Sequence, residues 1–182
     1  MSSIKIKVGV AALILLTSCE KSPPPQHTAP PPPPSVSVPM PLDPIDAAGE
    51  LPQWVGQALS VRPAFKRYRI YTGLNPFYQR GQFDGDTLLD IAIQIVDSAS
   101  GKRGIAFIHR ADWSIHVIGA GQPFGNGGDD FSWLGQWSVA DGESLHEPRL
   151  KGVEVLYIGK GDSAGGMVWW NGSTYVWTQW GD

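Results

Sequence analysis

The chain of 182 residues contains a single cysteine, Cys19. No internal disulfide can form, so whatever folds must hold together by its own core. No His-x-x-x-His pair and no cysteine cluster is present, which removes the usual frameworks of a catalytic zinc site. Long apolar runs are also missing. The longest near the start, Val8 to Leu16, has nine residues, well short of the roughly 20 a membrane-spanning helix needs. Basic charge is scarce: 14 Lys and Arg stand against 17 Asp and Glu, for a net charge of −3. An acidic, Lys-poor chain lacks the basic patch that nucleic acid requires, so that class of partner is set aside. No repeat with a period of 20 to 50 residues recurs, which argues against a solenoid.

The first eighteen residues have the make-up of a secretory signal. Lys5 and Lys7 precede the apolar stretch, which ends in the small residues Thr17 and Ser18 directly before Cys19. Leu16-Thr17-Ser18-Cys19 resembles the lipobox of bacterial lipoproteins. That resemblance implies cleavage before Cys19 and acylation of it with palmitate-class chains. Glu20, in place of an aspartate, implies sorting to the outer membrane, on its periplasmic face or at the cell surface. Several acyl chains would hold the protein stably, at roughly 0.8 kcal/mol per buried methylene. Loss of Lys5 and Lys7 leaves 12 basic against 17 acidic residues, a net charge of −5.

Residues 22–44, SPPPQHTAPPPPPSVSVPMPLDP, hold eleven of the sixteen prolines. Such a segment favours extended polyproline II and reads as a semi-rigid spacer. At ~3.1 Å per residue it reaches on the order of 70 Å. The acylated cysteine and linker thus occupy 19–45, and 46–182 has the size of one globular domain.

Within that domain, Trp54, Val55, Ala58 and Leu59 fall at helical spacing after Pro52, which predicts a short amphipathic helix over about 51–60. Period-2 runs follow at Arg67–Tyr71, Ile91–Val96, Ile105–Ile108, Trp113–Ile118 and Val153–Ile158. Asn171-Gly172 between apolar runs predicts a tight hairpin in which Trp170 faces Ser173. The expected fold is α+β and β-rich: one twisted, mainly antiparallel sheet with the N-terminal helix packed against it.

Gln82-Phe83-Asp84-Gly85-Asp86-Thr87-Leu88-Leu89-Asp90 resembles the calcium loop of FG-GAP repeats, which precedes an apolar strand. The resemblance implies a Ca²⁺ site with Gln82, Asp84, Asp86 and Asp90 as oxygen ligands, the hard donors this ion prefers. Two positions depart from the pattern. Gln82 offers a neutral oxygen, and Thr87 replaces a glycine where the backbone turns left-handed, which a β-branched residue resists. The plainer reading is a loop whose aspartates cap backbone N–H groups. A single copy of the motif cannot build a propeller.

Gly161-Asp162-Ser163-Ala164-Gly165-Gly166 is similar to the GDSGG of chymotrypsin-like proteases. Neither His109 nor His116 stands in that family's histidine motif, and the segment reads as a hairpin loop. Residues 119–130 form a long Gly-rich connection without the Gly-Lys-Ser/Thr of a phosphate loop. Of the eight tryptophans, most are needed in a disulfide-free core. Trp169 and Trp170 are adjacent on a strand and must point to opposite faces. Trp133, Trp137 and Trp170 are the candidate binding surface.

These readings lead to a non-enzymatic envelope lipoprotein, a binding or structural module on a proline-rich spacer. Its expected partners are the membrane, through the lipid, and an envelope polysaccharide, peptidoglycan or protein. The alternatives are a small hydrolase of envelope polymers, which needs two carboxylates in one cleft, and a calcium-dependent adhesion module.

Overall fold

The computed structural model describes residues 47, 49–146, 148–161 and 164–181, all within the compact unit Ser37–Asp182. The signal segment, Cys19 and the proline-rich linker lie outside the described residues, as do Asp162 and Ser163.

The helix expected after Pro52 is α1, Gln53–Ser60, with Pro52 at its N-cap and Val55 and Ala58 buried. Nine strands follow. β1 (Tyr68–Ile70), β2 (Tyr78–Gly81), β3 (Asp90–Asp97), β4 (Arg103–Ile108) and β5 (Ile115–Gly119) form one sheet. β6 (Gln136–Asp141), β7 (Glu154–Gly159), β8 (Gly165–Trp170) and β9 (Tyr175–Trp180) form another. All pairings are antiparallel. The fold is α+β and β-rich.

The strands make two stacked sheets rather than the single sheet expected. The physical reason is written in β3 and β4, which are apolar on both faces. Ile91, Ile93 and Ile95 point with Ala106 and Ile108 towards α1, where Leu51, Val55 and Ala58 complete one core. Ala92, Ile105 and Phe107 point the other way and meet Leu156, Ile158 and Val168 of the second sheet. A strand apolar on both parities must be covered on both sides. A third, smaller cluster of Leu150, Val155 and Met167 closes the outer face of the second sheet.

β1 and β2 lie end to end along one edge of β3, pairing Ile70 with Ile95 and Tyr78 with Ile93. β5 is the opposite edge. Its start falls two residues later than the alternation suggests, because Trp113 sits in a turn at φ +58°.

The β8–β9 hairpin forms, with its register displaced by two residues. Trp170 pairs with Tyr175 rather than Ser173. The Asn171 side chain accepts from the N–H groups of Ser173 and Thr174, both at 3.0 Å. Of Asn171 and Gly172 only Gly172 takes positive φ. A four-residue, Asx-closed loop therefore replaces the two-residue type I′ turn. A slip of two preserves the faces. Trp170 packs between the sheets and Trp169 on the outer cluster, as adjacency requires.

The Gly-rich connection is pinned at its start by Ala120 N, which donates to Arg103 O at 2.7 Å, and at its end by two aspartates. Asp130 Oδ1 accepts from Arg103 N at 2.9 Å and Ser132 N at 3.0 Å, and Lys102 pairs with Asp129. Among the described residues no helix is long and apolar enough to cross a membrane.

Candidate functional site

The loop before β3 adopts its shape through its aspartates. Asp84 Oδ1 accepts from Asp86 N at 3.0 Å, and Asp86 Oδ1 accepts from Leu88 N at 2.7 Å, two successive Asx turns. Gly85 and Thr87 both sit left-handed, at φ +80° and +75°. Thr87 therefore holds the conformation that its β-branch opposes. Gln82 is used as a strut to the second sheet. Its N–H donates to Glu154 Oε2 at 2.7 Å, and its carbonyl accepts from Glu154 N at 3.3 Å.

Asp90, the first residue of β3, is fully buried. Its Oδ2 accepts from Phe83 N at 3.0 Å and Asp84 N at 3.2 Å, and its Oδ1 accepts from Arg110 N at 2.8 Å. The side chain thus ties the loop to both β3 and the end of β4. Burial pushes its carboxyl up to about 7, against the pull of these N–H donors and with the push of the Asp84 charge. Burial also raises Asp84.

The partner that the motif did not announce is His109. Ile91 pairs with Ile108, so one step further along both strands sets Asp90 beside His109. Both residues share the parity of Ala92 and Phe107 and face the second sheet. His109 is 4% exposed. Its Nδ1 lies 3.4 Å from Asp84 Oδ2, and its Nε2 lies 2.8 Å from the Tyr175 hydroxyl, on β9 of the opposite sheet. Burial lowers the His109 pKa, with Asp84 opposing. Burial also holds the Tyr175 hydroxyl well above its ordinary value. The imidazole tautomer decides which of His109 Nε2 and the Tyr175 hydroxyl is the donor in this bond. His109, Asp84 and Asp90 offer ligand atoms within 4.8 Å of one another.

Aromatic rings enclose this group. Tyr175 stacks on Phe107 with centroids 3.8 Å apart, and Trp170 meets His109 and His116 edge-on at 4.9 and 4.6 Å. His116 Nε2 bonds Ser114 Oγ at 3.2 Å, along the shared strand face that its spacing predicts.

No protein-family model, curated protein or solved structure matches this chain. Its chemistry must be read from these residues.

Of the four residues of the expected calcium set, Asp84 and Asp90 converge. Asp86 stands outside the group, and the main chain of Gln82 is committed to Glu154. The converging carboxylates also cap N–H groups, so both readings of the loop describe part of it. The candidate surface of Trp133, Trp137 and Trp170 is not one surface. Trp137 is buried between the sheets, its Nε1 donating to Pro76 O at 2.7 Å. Trp133 packs on Phe131 and Trp177 and donates to Gly127 O at 2.9 Å. Trp170 alone of the three covers the histidines. Trp137 belongs to the core between the sheets, whereas Trp133 and Trp170 are half-buried against it.

A different surface is open. A groove of about 730 Å³ runs beside the edge strand β5. Phe65, Tyr68 and Phe124 line it, with Arg62, His116 and Gln122 among its polar groups.

Proposed function

We propose that the chain is a cell-envelope lipoprotein, acylated at Cys19 and spaced by its proline-rich segment. Its β-rich domain binds an envelope partner instead of catalysing a reaction. The observation that carries this reading is the position of Cys19: the chain's one cysteine directly follows Leu16-Thr17-Ser18, at the end of the apolar stretch. The proline-rich segment then separates it from the folded unit.

Binding is favoured over hydrolysis by where the titratable groups lie. Two carboxylates do converge, as a polymer hydrolase needs, but Asp90 is fully buried and His109 nearly so. A polymer chain cannot reach them. The groove beside β5, in contrast, opens to solvent and combines aromatic faces with hydrogen-bonding side chains, the lining that suits sugar rings and peptide stems. Peptidoglycan is the partner whose chemistry fits it.

Two arms test the reading. Cell fractionation should find the chain in the outer membrane and the Cys19→Ala chain soluble in the periplasm; continued membrane anchoring of the variant refutes acylation. The soluble Cys19→Ala chain should co-sediment with purified sacculi, and Tyr68→Ala with Phe124→Ala should abolish this. Sedimentation indifferent to both changes removes the groove from the account.

A further inference from the structure

We propose that Asp84, Asp90 and His109 bind one divalent transition-metal ion of the zinc class, with Tyr175 as the outer partner that orients His109. Three observations carry this.

The donors come from separate, fixed segments: the loop, the start of β3 and the residue after β4. Their ligand atoms lie within 4.8 Å of one another. Asp90 is held by three backbone N–H groups, which leave carboxylate lone pairs free for a cation.

The histidine is presented as metal-binding histidines are. One ring nitrogen, Nδ1, faces the carboxylates, and the other is held by a hydroxyl at 2.8 Å. The 3.4 Å between Nδ1 and Asp84 Oδ2 is long for a hydrogen bond. It matches the edge, about 3.4 Å, of a tetrahedron with bonds near 2.1 Å. With a metal on Nδ1 the imidazole carries its one proton on Nε2, facing the Tyr175 oxygen.

Two carboxyl groups lie together where little water screens them, so ionising both calls for an opposite charge beside them. Arg110 lends only its backbone N–H, because its guanidinium lies over the Trp54 ring at 4.7 Å. A divalent cation supplies the opposite charge. Asp84, with 12% of its side chain exposed, is the side of entry and of a water in the fourth position.

The donor set selects the ion. One imidazole nitrogen and two carboxylates suit zinc-class metals. Calcium wants six to eight oxygens, and Asp86 is not in the group. The site is therefore not the calcium loop implied by the motif, although it borrows two of that loop's residues.

The test uses the full-length, tag-free Cys19→Ala chain, stripped with chelator, which also removes the one thiol that could compete. Titration with Zn²⁺ should show one ion per chain, and Co²⁺ should give visible absorption from a nitrogen–oxygen site. Asp84→Asn and His109→Gln should each weaken Zn²⁺ at least tenfold, and Tyr175→Phe by about 10- to 100-fold. His116→Gln, on the neighbouring strand, should leave affinity unchanged. Circular dichroism confirms that each variant is folded. If His109→Gln unfolds, the direct titration and Asp84→Asn still decide. No saturable Zn²⁺ binding by the folded parent overturns the proposal. So does binding indifferent to Asp84→Asn, or stoichiometric Ca²⁺ binding with Zn²⁺ inert. None of these outcomes bears on acylation at Cys19, so the two proposals fail separately.

Discussion

Replacing Tyr175 by Phe removes one oxygen and leaves the ring. The Phe107 stack at 3.8 Å is retained, so the change isolates the hydroxyl that joins the two sheets through His109. His109 is 4% exposed, and its Nε2 is left without its partner in the space between the sheets. Leaving a buried polar group unpaired costs about 1–3 kcal/mol, and a value of about 2 kcal/mol is expected here. At roughly 4 °C per kcal/mol for a domain of this size, the melting midpoint should fall by about 8 °C. The assay is urea denaturation of the full-length Cys19→Ala background in chelator, at neutral pH, with and without Tyr175→Phe. The urea slope should be unchanged, since the surface exposed on unfolding is the same. A variant within about 0.5 kcal/mol of its parent, or more stable than it, refutes the claim that this bond ties the sheets.

Thr87→Gly should stabilise the metal-free protein by up to ~1 kcal/mol. The substitution relieves a left-handed conformation costing about 1–2 kcal/mol, against the chain entropy that glycine adds. Thr87→Ala, which keeps a Cβ at φ +75°, should give less, and equal gains from both would refute the strain reading. Asp97 should govern part of the acid transition. Its carboxyl accepts from Ala99 N and Ser100 N and pairs with Arg67. The Ser100 N–H first, then the Arg67 guanidinium, holds it down to about 2. Its folded pKa lies below the unfolded value, so its stabilisation is complete above about pH 4 and is lost as pH falls towards 2. Urea midpoints measured across that window should fall less steeply in Asp97→Asn; parallel curves would contradict the assignment.

Much of the fold is legible in the residues. The helix after Pro52 announces itself by its one apolar stripe, and Ile91, Ile93 and Ile95 mark by alternation the face of β3 that packs on it. The second sheet is harder to see. Its necessity lies in Ala92, Ile105 and Phe107, the apolar residues of the other parity, but parity does not say which later strands will cover them. β2, with the sequence YQRG, carries almost no apolar signal, since it is an edge fixed by pairing to β3. The hairpin's loop length turned on one Asn171 side chain competing for the turn N–H groups.

The site was half legible. Asp84 and Asp90 stand in a visible motif. His109 does not, because its place beside Asp90 follows from strand register, which periodicity alone leaves free. Aligning Ile91 with Ile108 would have exposed it. Tyr175 comes from the opposite sheet, 66 residues from His109, a distance no local pattern spans. The tryptophans are hard to assign for a related reason: aromatic abundance marks both binding faces and cores, and here Trp137 is core while Trp133 and Trp170 are half-buried at separate places.

The central claim is that this domain is tethered by lipid at Cys19. Its most direct test is mass spectrometry of the chain extracted from membranes. The account predicts an N-terminal fragment beginning at Cys19 and carrying acyl chains. A fragment in which Cys19 is a free thiol, or in which the chain starts elsewhere, would contradict it.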